Sequence, residues 1–296
     1  MTRRPKTIGD YRILERVAPG GLAELFKAEH VRGGPVVVLK RIPPSVADDV
    51  DFVLRFEDEV ALAMQLKHPN IVEVLDRGED GGHFLVMELV DGGDLAALLE
   101  RVETLEPPLV AYVGLEIARA LDYIHRTDPK TGRKPLIHFD VSPHNILLGT
   151  SGAVKLSDFG LARALRRTGA ETITAARGKR RYLSPEQWSD EAVSSRSDLF
   201  SLGLVLWGAL VGSHPYAEQR PADIGLDEWI RARTIANARR SVAEAAPGVP
   251  AELQEAIEGL LQPARERIAT AEQLYRMLSP LVRVDAAGRL AARLGP

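Results

Sequence analysis

Three oxygen-bearing side chains within nineteen residues are the strongest chemical signal in the sequence. The stretch HFDVSPHN occupies residues 138–145 and contains Asp140 and Asn145, which are five positions apart. A second stretch, SDFG, supplies Asp158, thirteen positions after Asn145. Carboxylate and amide oxygens suit Mg²⁺, and Mg²⁺ also binds phosphate oxygens. Side chains of these types could therefore hold Mg²⁺ next to a phosphate group.

A lysine and a glutamate near the start of the chain are further candidates. Lys40 ends the β-branched run VVLK, and Glu59 follows nineteen residues later in the middle of a predicted helix. Each has a purely structural interpretation as well. A lysine on a strand can protect a sheet edge from aggregation, and Glu59 lies beside Asp58 on what could be a solvated helix face. Considered alone, these structural interpretations are the stronger ones.

A β-rich segment must position Lys40. Alternating apolar residues, β-branched residues and glycine-bearing turns predict five strands before residue 91, and helical spacing of apolar residues predicts a helix that Pro69 ends. The strands are expected at 11–18, 23–30, 34–42, 71–79 and 83–90, and the helix at 50–68.

A helical segment must position the residues after Gly92 and Gly93, which interrupt the chain. Short strands and loops are expected between residues 136 and 160, around the three oxygen-bearing side chains. The predicted fold class is α+β. Helices are expected at 94–102, 107–126, 196–212, 225–239, 250–261 and 270–283.

Several separated motifs in one order carry a family resemblance. Lys40 on a strand, HxDxxxxN at 138–145, SDFG at 157–160, SPE at 184–186 and Arg267 in RERIATA follow one another as in protein kinases. The chain resembles a bacterial Ser/Thr protein kinase of the eukaryotic-like family over roughly residues 11–283. The resemblance implies a bilobal fold: an N-lobe at about 11–88, a hinge at 88–94, a C-lobe at about 95–283 and a short tail at 284–296, all in one kinase domain.

The resemblance implies ATP and Mg²⁺ as cofactors and Ser or Thr hydroxyls of proteins as acceptors. Asp140 would act as the base, Asn145 and Asp158 would hold Mg²⁺, and Lys40, paired with Glu59, would contact the α- and β-phosphates. Such parts suit phosphoryl transfer, whose catalysis is mostly positioning and charge neutralisation. The nucleotide itself is expected to contact Val17, Gly20, Lys40, Glu88, Val90 and Asp94.

Other residues are expected to support the fold around the site without taking part in the chemistry. Met87 falls at the gatekeeper position of the resemblance, Glu186 would pair with Arg267, and Asp198 would anchor the backbone of the catalytic loop. Asp94 falls where kinases bind the ATP ribose and has a second interpretation as the N-cap of a helix at 95–102, and both interpretations can hold together.

The chain departs from the family pattern at several positions. Phe139 replaces an arginine that in many kinases binds a phosphate on the activation segment, and Ser142 replaces a lysine beside the transferred phosphoryl group. Lys179 stands where a threonine is usual, so it could supply the missing charge and is counted among the catalytic candidates; the alternative is that it is one more solvated base of the cluster RGKRR. Ala18 and Ala23 replace two glycines of the phosphate-binding loop, while Gly20 is kept.

Two alternatives to an active protein kinase stay open. A nucleotide-binding pseudokinase or scaffold would usually lose the counterparts of Lys40, Asp140 or Asp158, and all three are present. A small-molecule phosphotransferase shares an HxD-type loop, but SPE, Asp198 and Arg267 favour the protein-kinase branch. The activating signal, and phosphorylation of Thr168, Thr172 or Thr174, cannot be inferred from the sequence.

Composition narrows the possible partners and compartments. The 296 residues carry a net charge of −3, which favours neither nucleic acid nor an anionic membrane as a partner, and no cysteine is present. The N-terminus lacks the apolar run of a signal peptide, and the apolar stretch 199–212 is shorter than the ~20 residues of a membrane span. The sequence therefore predicts a cytoplasmic protein, and it leaves the oligomeric state open.

Overall fold

The computed structural model describes residues 7–18, 23–42, 50–127, 132–159, 180–189 and 191–295, with the side chains of a few of these, including Ala18 and Glu59, excepted. The described residues form two compact units. Unit 1 contains the described residues up to Val90 together with Asp158 and Phe159, and unit 2 contains the others from Asp91 onward.

Unit 1 is built on a six-stranded antiparallel sheet with the order β1-β2-β3-β4-β6-β5. The five predicted strands are present, and β1, which has only two residues, was not predicted. The third strand is shorter than predicted because Gly33 and Gly34 adopt φ values of 86° and 139° before it. The strands are β1 Thr7–Ile8, β2 Tyr11–Ala18, β3 Glu24–His30, β4 Val37–Arg41, β5 Val74–Glu79 and β6 His83–Glu88.

Strand alternation places Lys40 on a defined face of this sheet. Val37 and Leu39 are buried in a core cluster with Phe26, Phe84 and Val86. Successive side chains of a strand point to opposite faces, so Lys40 lies on the face opposite to Leu39.

Helix α1, Val50–Ala63, also belongs to unit 1 and is shorter than the predicted 50–68. Phe56, Val60 and Ala63 are buried, at the spacing of one helix face. The next backbone hydrogen bonds, from Gln65 to Leu62 O and from Leu66 to Ala63 O, are of the tighter i→i−3 type. The α-helix therefore ends at Ala63, and Pro69 is not the residue that terminates it.

Unit 2 is helical, with a small two-stranded sheet. Its core is formed largely by two buried helices, α3 (Pro107–His125) and α5 (Ser195–Val211), whose inward residues include Leu121, Ile124, Leu202 and Leu206. The elements are α2 Leu95–Val102, α3 Pro107–His125, β7 Ile146–Leu148, β8 Val154–Leu156, α4 Pro185–Trp188, α5 Ser195–Val211, α6 Leu226–Ile235, α7 Val242–Ala245, α8 Ala251–Leu260, α9 Ala271–Leu278 and α10 Ala286–Leu294, with 3₁₀ turns at Pro143–Asn145 and Ser279–Leu281.

Capping explains where the longest apolar helix begins and ends. The Ser194 side chain and Ser197 form a reciprocal capping box at the start of α5, and Gly212 ends the helix with φ 78°. The helix at 225–239 was predicted too long, because it ends at Ile235 and Asn237 turns to φ 49°. Helix α10 was not predicted at all.

The predicted α+β class is confirmed by a β-rich unit 1 and a helical unit 2. Within the described ranges, no helix is both long and apolar enough to cross a membrane.

Candidate active site

Unit 1 brings Lys40 and Asp158 together, although they are 118 residues apart in the chain. Lys40 Nζ donates to Asp158 Oδ1 at 2.7 Å. The two side chains are 15% and 24% exposed, so the ion pair is partly shielded from water. Asp158 has φ 63°, a left-handed conformation that aspartate tolerates better than most residues. A cation and a carboxylate that could bind phosphate and metal thus lie in direct contact.

A small apolar cavity adjoins this pair within unit 1. It measures about 20 Å³ and is lined by residues including Met87, Val60, Leu85 and Phe159 as well as Asp158. This volume is close to the space of one water molecule. Met87, which is 8% exposed, therefore lies beside a space too small for an aromatic ligand.

Hydrogen bonds determine the tautomer of His138 in unit 2. His138 Nε2 lies 2.9 Å from Ser157 O, an acceptor, so Nε2 carries the proton. Asp140 N–H donates to His138 Nδ1 at 3.2 Å, which requires Nδ1 to be an acceptor. The neutral imidazole thereby joins the backbone of Asp140 to that of Ser157.

Asp198 on α5 anchors the backbone of the loop, as predicted. Its Oδ2 accepts from His138 N–H at 2.8 Å and its Oδ1 from Phe139 N–H at 2.9 Å. Phe139 has φ 69°, which is unusual for an aromatic residue, and its carbonyl accepts from Gln187 Nε2 at 3.2 Å. Contacts on both sides of Phe139 hold the strained turn that precedes Asp140.

Asn145 and Asp140 are also in contact. Asn145 Nδ2 donates to Asp140 O at 2.7 Å and to Asp140 Oδ2 at 2.8 Å. Both residues are buried, at 1% and 9% exposure. Because Nδ2 makes these two bonds, the orientation of the Asn145 amide, and hence of its Oδ1, is determined.

Asp94 caps α2, as its second interpretation predicted. Its Oδ1 accepts from Ala97 N–H at 2.7 Å, and its Oδ2 lies 3.9 Å from His144 Nδ1. Partial burial disfavours the charge of Asp94, but the interactions with His144 and the backbone N–H groups outweigh it and lower its pKa. Asp94 is thus held as a carboxylate next to the catalytic loop.

Glu186 and Arg267 form the predicted ion pair. Arg267 Nη1 and Nη2 donate to the two carboxylate oxygens at 2.6 and 3.2 Å, and Ser197 Oγ donates to Glu186 Oε1 at 2.7 Å. Burial opposes the charge of Glu186, but Arg267 and Ser197 outweigh it and lower its pKa. The fully bonded pair joins the SPE segment to the helical core.

The structure shows the surroundings of Ser142, which departs from the family pattern. Its side chain is fully buried, and its Oγ has no hydrogen-bond partner among the described residues. An unpaired buried hydroxyl is uncommon in folded proteins. Residue 142 therefore places a neutral polar group where the resemblance implies a cation.

The remaining predicted residues are spread over unit 1 or lie outside the described residues. Val17 on β2 is 50% exposed, and Glu88 ends β6, where its Oε1 accepts from Glu73 N–H at 2.9 Å. Val90 is the last residue of unit 1 before Asp91. Gly20, Lys179 and the side chain of Glu59 lie outside what the structure describes.

Gln187 and His125 are supporting residues that sequence reasoning missed. Gln187 belongs to a capping box with Ser184, and the spacing S-x-x-Q could have indicated it. His125 Nε2 lies 2.8 Å from Asp198 Oδ2, a contact for which the sequence carries no signal. In the part of the chain that the structure describes, no group of three or more His, Cys, Asp or Glu side chains is arranged to hold a metal ion.

His214, which follows α5, is partly buried and is held in a neutral form. Its Nε2 lies 2.8 Å from Arg181 O and its Nδ1 accepts from Tyr216 N–H at 3.3 Å, so the imidazole carries one proton on Nε2. Burial lowers the pKa of His214 to about 4, from an ordinary value of 6.5.

This pKa predicts a loss of stability in mild acid. Between pH 6.5 and pH 4 the unfolded chain binds a proton that the folded chain does not, so the free energy of unfolding falls as the pH drops through that range. By pH 5 the His214 contribution lost is about 1–2 kcal/mol. Urea unfolding at pH 5 and pH 7 should show this loss in the parent and a smaller one in His214→Gln. Equal pH dependence in both proteins would contradict the assignment.

Comparison with known proteins gives these residues a family context. A family model described as "Protein kinase domain" matches residues 11–278. The chain is 31% identical over 298 residues to "Tyrosine-protein kinase MasK" of Myxococcus xanthus, which is 97% of this chain and 45% of that protein. It is 37% identical over 223 residues to "Probable serine/threonine-protein kinase SCO3848" of Streptomyces coelicolor, covering 73% and 32% of the two chains. It is 36% identical over 209 residues to "Serine/threonine-protein kinase PknD" of Mycobacterium tuberculosis, covering 70% of this chain and 30% of that protein. The chain thus spans less than half the length of these relatives.

Proposed function

The chain belongs to the protein kinase domain family, and from this premise we propose that it transfers the γ-phosphoryl group of ATP to Ser or Thr hydroxyls of protein substrates. The observation that carries the proposal is the contact of Asn145 with Asp140, together with the backbone anchor on Asp198. We also propose that residues 1–296 form a single kinase domain.

Asp140 acts as the base in this proposal. It accepts or orients the proton of the attacking hydroxyl, and Asn145 Nδ2 holds its carboxylate in place at 2.8 Å. General bases of this kind must be positioned within hydrogen-bond reach of the hydroxyl. The strained backbone at Phe139, held by Asp198 and Gln187, is the physical means of that positioning.

The donor set fits magnesium in its chemistry. Asp158 offers a carboxylate and Asn145 an amide oxygen whose orientation is determined by the two Nδ2 bonds, and Mg²⁺ prefers oxygen ligands of both kinds. We propose that these two residues hold Mg²⁺, which when bound neutralises charge on phosphate oxygens.

Lys40 supplies a second positive charge to the α- and β-phosphates, with Glu59 as its partner in the nucleotide-bound form. Asp158, which contacts Lys40 at 2.7 Å, keeps that ammonium aligned. Contacts to the rest of the nucleotide are assigned to Val17, Gly20, Glu88, Val90 and Asp94.

The acceptor amino acid is open to a direct test. Two of the three relatives described above are named serine/threonine-protein kinases, whereas MasK is named a tyrosine-protein kinase. We assign Ser or Thr to this chain. Purified protein should be incubated with radiolabelled ATP, Mg²⁺ and a generic acceptor protein such as casein, and the phosphorylated sites mapped by mass spectrometry.

Phosphoserine or phosphothreonine is the expected product. Phosphotyrosine alone would overturn the acceptor assignment. A nucleotide-dependent rise in melting temperature with no phosphate incorporation would favour the pseudokinase or scaffold alternative. We also propose a cytoplasmic location, which fractionation of expressing cells would contradict if the protein were recovered with the membranes.

Lys179 is proposed to replace the cation that Ser142 cannot supply. The lysine has a long flexible stem and a compact ammonium, and the unpaired, buried Ser142 leaves the catalytic loop without a charge at that position. Lys179→Thr is expected to lower turnover by roughly 10–100-fold with little change in the KM for ATP. Lys134→Thr, which removes an exposed lysine of unit 2, is the matched control. Turnover within about twofold of the parent for Lys179→Thr would end this proposal.

A further inference from the structure

A large groove lies in unit 2 beside the catalytic loop. Its volume is about 600 Å³, within the range typical of ligand-binding sites. We call it the α2–α5 groove, after the helices that form its two sides, and the residues of its lining that matter below are Glu100, Glu103, Pro143, His144, Tyr182 and Gly208.

The groove is continuous with the proposed catalytic residues of unit 2. Pro143 and His144 line it and directly precede Asn145 in the same 3₁₀ turn, three and four residues after Asp140. Tyr182, two residues before Ser184 of the SPE segment, lines it as well. A polypeptide lying in the groove would therefore have its neighbouring residues close to Asp140.

Gly208 keeps one side of the groove open. It lies inside α5, where glycine is less favourable than alanine by roughly 1 kcal/mol. A Cβ built on Gly208 would meet no atom within 4 Å, so packing does not require glycine here. The glycines at 114 and 203, by contrast, would place a Cβ within 3 Å of a neighbouring side chain. The physical benefit of glycine at 208 is the empty space above it, and that space is the groove.

The charge of the groove points to a basic occupant. Two carboxylates, Glu100 and Glu103, are set against two imidazoles, His144 and the neutral His214, and none of the described lining residues is a lysine or an arginine. Neither carboxylate has an ion-pair or hydrogen-bond partner in the described parts of the chain. Some other acidic side chains of unit 2 are paired, by contrast: Glu106 contacts Arg293 at 2.7 Å, and Glu258 contacts Arg239 at 2.6 Å.

The backbone conformation that places Glu103 at the rim of the groove is energetically unfavourable. Its φ of 60° is rare for a residue with a side chain, and the turn is closed by a 2.7 Å hydrogen bond from Thr104 N–H to Val102 O. Leu105 N–H donates to Ala209 O at 2.7 Å and ties this turn to α5 next to Gly208. The two sides of the groove are therefore joined rigidly at this end.

We infer that the α2–α5 groove binds the polypeptide substrate beside its phosphoacceptor residue and selects a lysine or arginine there through Glu100 and Glu103, with Gly208 providing the space. This selectivity rests on the proposed function, because it concerns the polypeptide that would be phosphorylated. It adds specificity-determining residues and a substrate class, namely basic segments, to that function.

Peptide binding tests the inference separately from catalysis. Two fluorescent peptides with alanine at the acceptor position are compared: one carries a single arginine, and its matched form carries glutamine at the same place. Each is titrated with the purified chain, and the titration is repeated with that residue at successive positions along the peptide. At the best position the arginine form should bind about tenfold more tightly. Glu100→Gln and Glu103→Gln should each reduce that ratio about two- to fivefold, as expected for exposed ion pairs. Glu252→Gln, an exposed glutamate on α8, should leave the ratio unchanged.

Gly208→Leu should weaken binding of both peptide forms about tenfold or more by filling the groove. Its melting temperature should not fall, because glycine is the poorer helix former. Gly208→Ala, whose Cβ meets no neighbour, serves as the folding control. An arginine preference that persists unchanged in both glutamate variants, or that is missing at every position, would overturn the inference.

Phosphate transfer to the matching threonine peptides completes the test. Arginine-selective binding without any transfer would leave the groove inference standing and contradict the proposed function. Transfer without arginine selectivity would support the proposed function and overturn the groove inference.

Discussion

Asp158→Asn is expected to lose phosphoryl transfer by a factor on the order of 10²–10³ or more. The substitution removes the negative charge of a proposed Mg²⁺ ligand and the partner of Lys40 Nζ at 2.7 Å. Asparagine is the appropriate replacement, because the φ of 63° at this position is tolerated by Asn and Asp but strained for most other residues. Initial rates with radiolabelled ATP and an acceptor protein measure the effect.

The melting temperature of this variant separates a loss of folding from a loss of catalysis. The Lys40–Asp158 pair is 15% and 24% exposed, so breaking it is expected to cost more than the ~1 kcal/mol of a surface pair and less than the ~3–5 kcal/mol of a fully buried one. Asp10→Asn, an exposed aspartate of unit 1, is the matched control and should retain full activity. Lys40→Met should lose nearly as much activity as Asp158→Asn. A normally active Asp158→Asn protein would contradict the kinase mechanism itself.

The second large effect is expected for Asp140→Asn. Removal of a positioned general base typically costs about 10²–10⁴-fold in rate. The replacement keeps the shape of the side chain and an oxygen that can accept from Asn145 Nδ2, which donates to Asp140 Oδ2 at 2.8 Å in the parent. The loss should therefore appear in kcat, with the KM for ATP changed by less than about threefold.

A structural role for Asp140 would give a different result. If Asp140 served only to hold the loop together, Asp140→Asn would keep most of its activity, because the bond to Asn145 survives. Asp223→Asn, which alters an exposed aspartate of the same unit, controls for the loss of one charge. A parent-like kcat in Asp140→Asn would contradict the proposed role of Asp140 and leave the base unassigned.

Local patterns were sufficient to predict most of the elements. The density of β-branched residues predicted β4, and the apolar run after residue 198 predicted α5. Helix ends were less predictable because they depend on contacts outside the helix. Helix α10 was missed for the same reason: Arg293 binds Glu106 at 2.7 Å, and Leu294 lies close to Gly92, so the tail is held by distant residues.

Motif spacing predicted that Asp140 and Asn145 lie near each other, because five residues of chain limit their separation, and the two side chains are in contact. Their catalytic roles rest on the family resemblance and stay a prediction. The resemblance also identified Glu186 and Arg267 as partners, and the structure confirms that pair.

Only the tertiary structure decided the contacts between residues that are distant in the chain. Lys40 meets Asp158 across 118 residues, and Asp198 reaches the backbone of residues 138 and 139 across about sixty. The groove depends on such contacts too, since nothing in the sequence shows that the space above Gly208 is empty or that Glu100 and Glu103 face it. The physical reason is that spacing limits separation only between near neighbours, whereas the packing of whole helices and strands sets every longer distance.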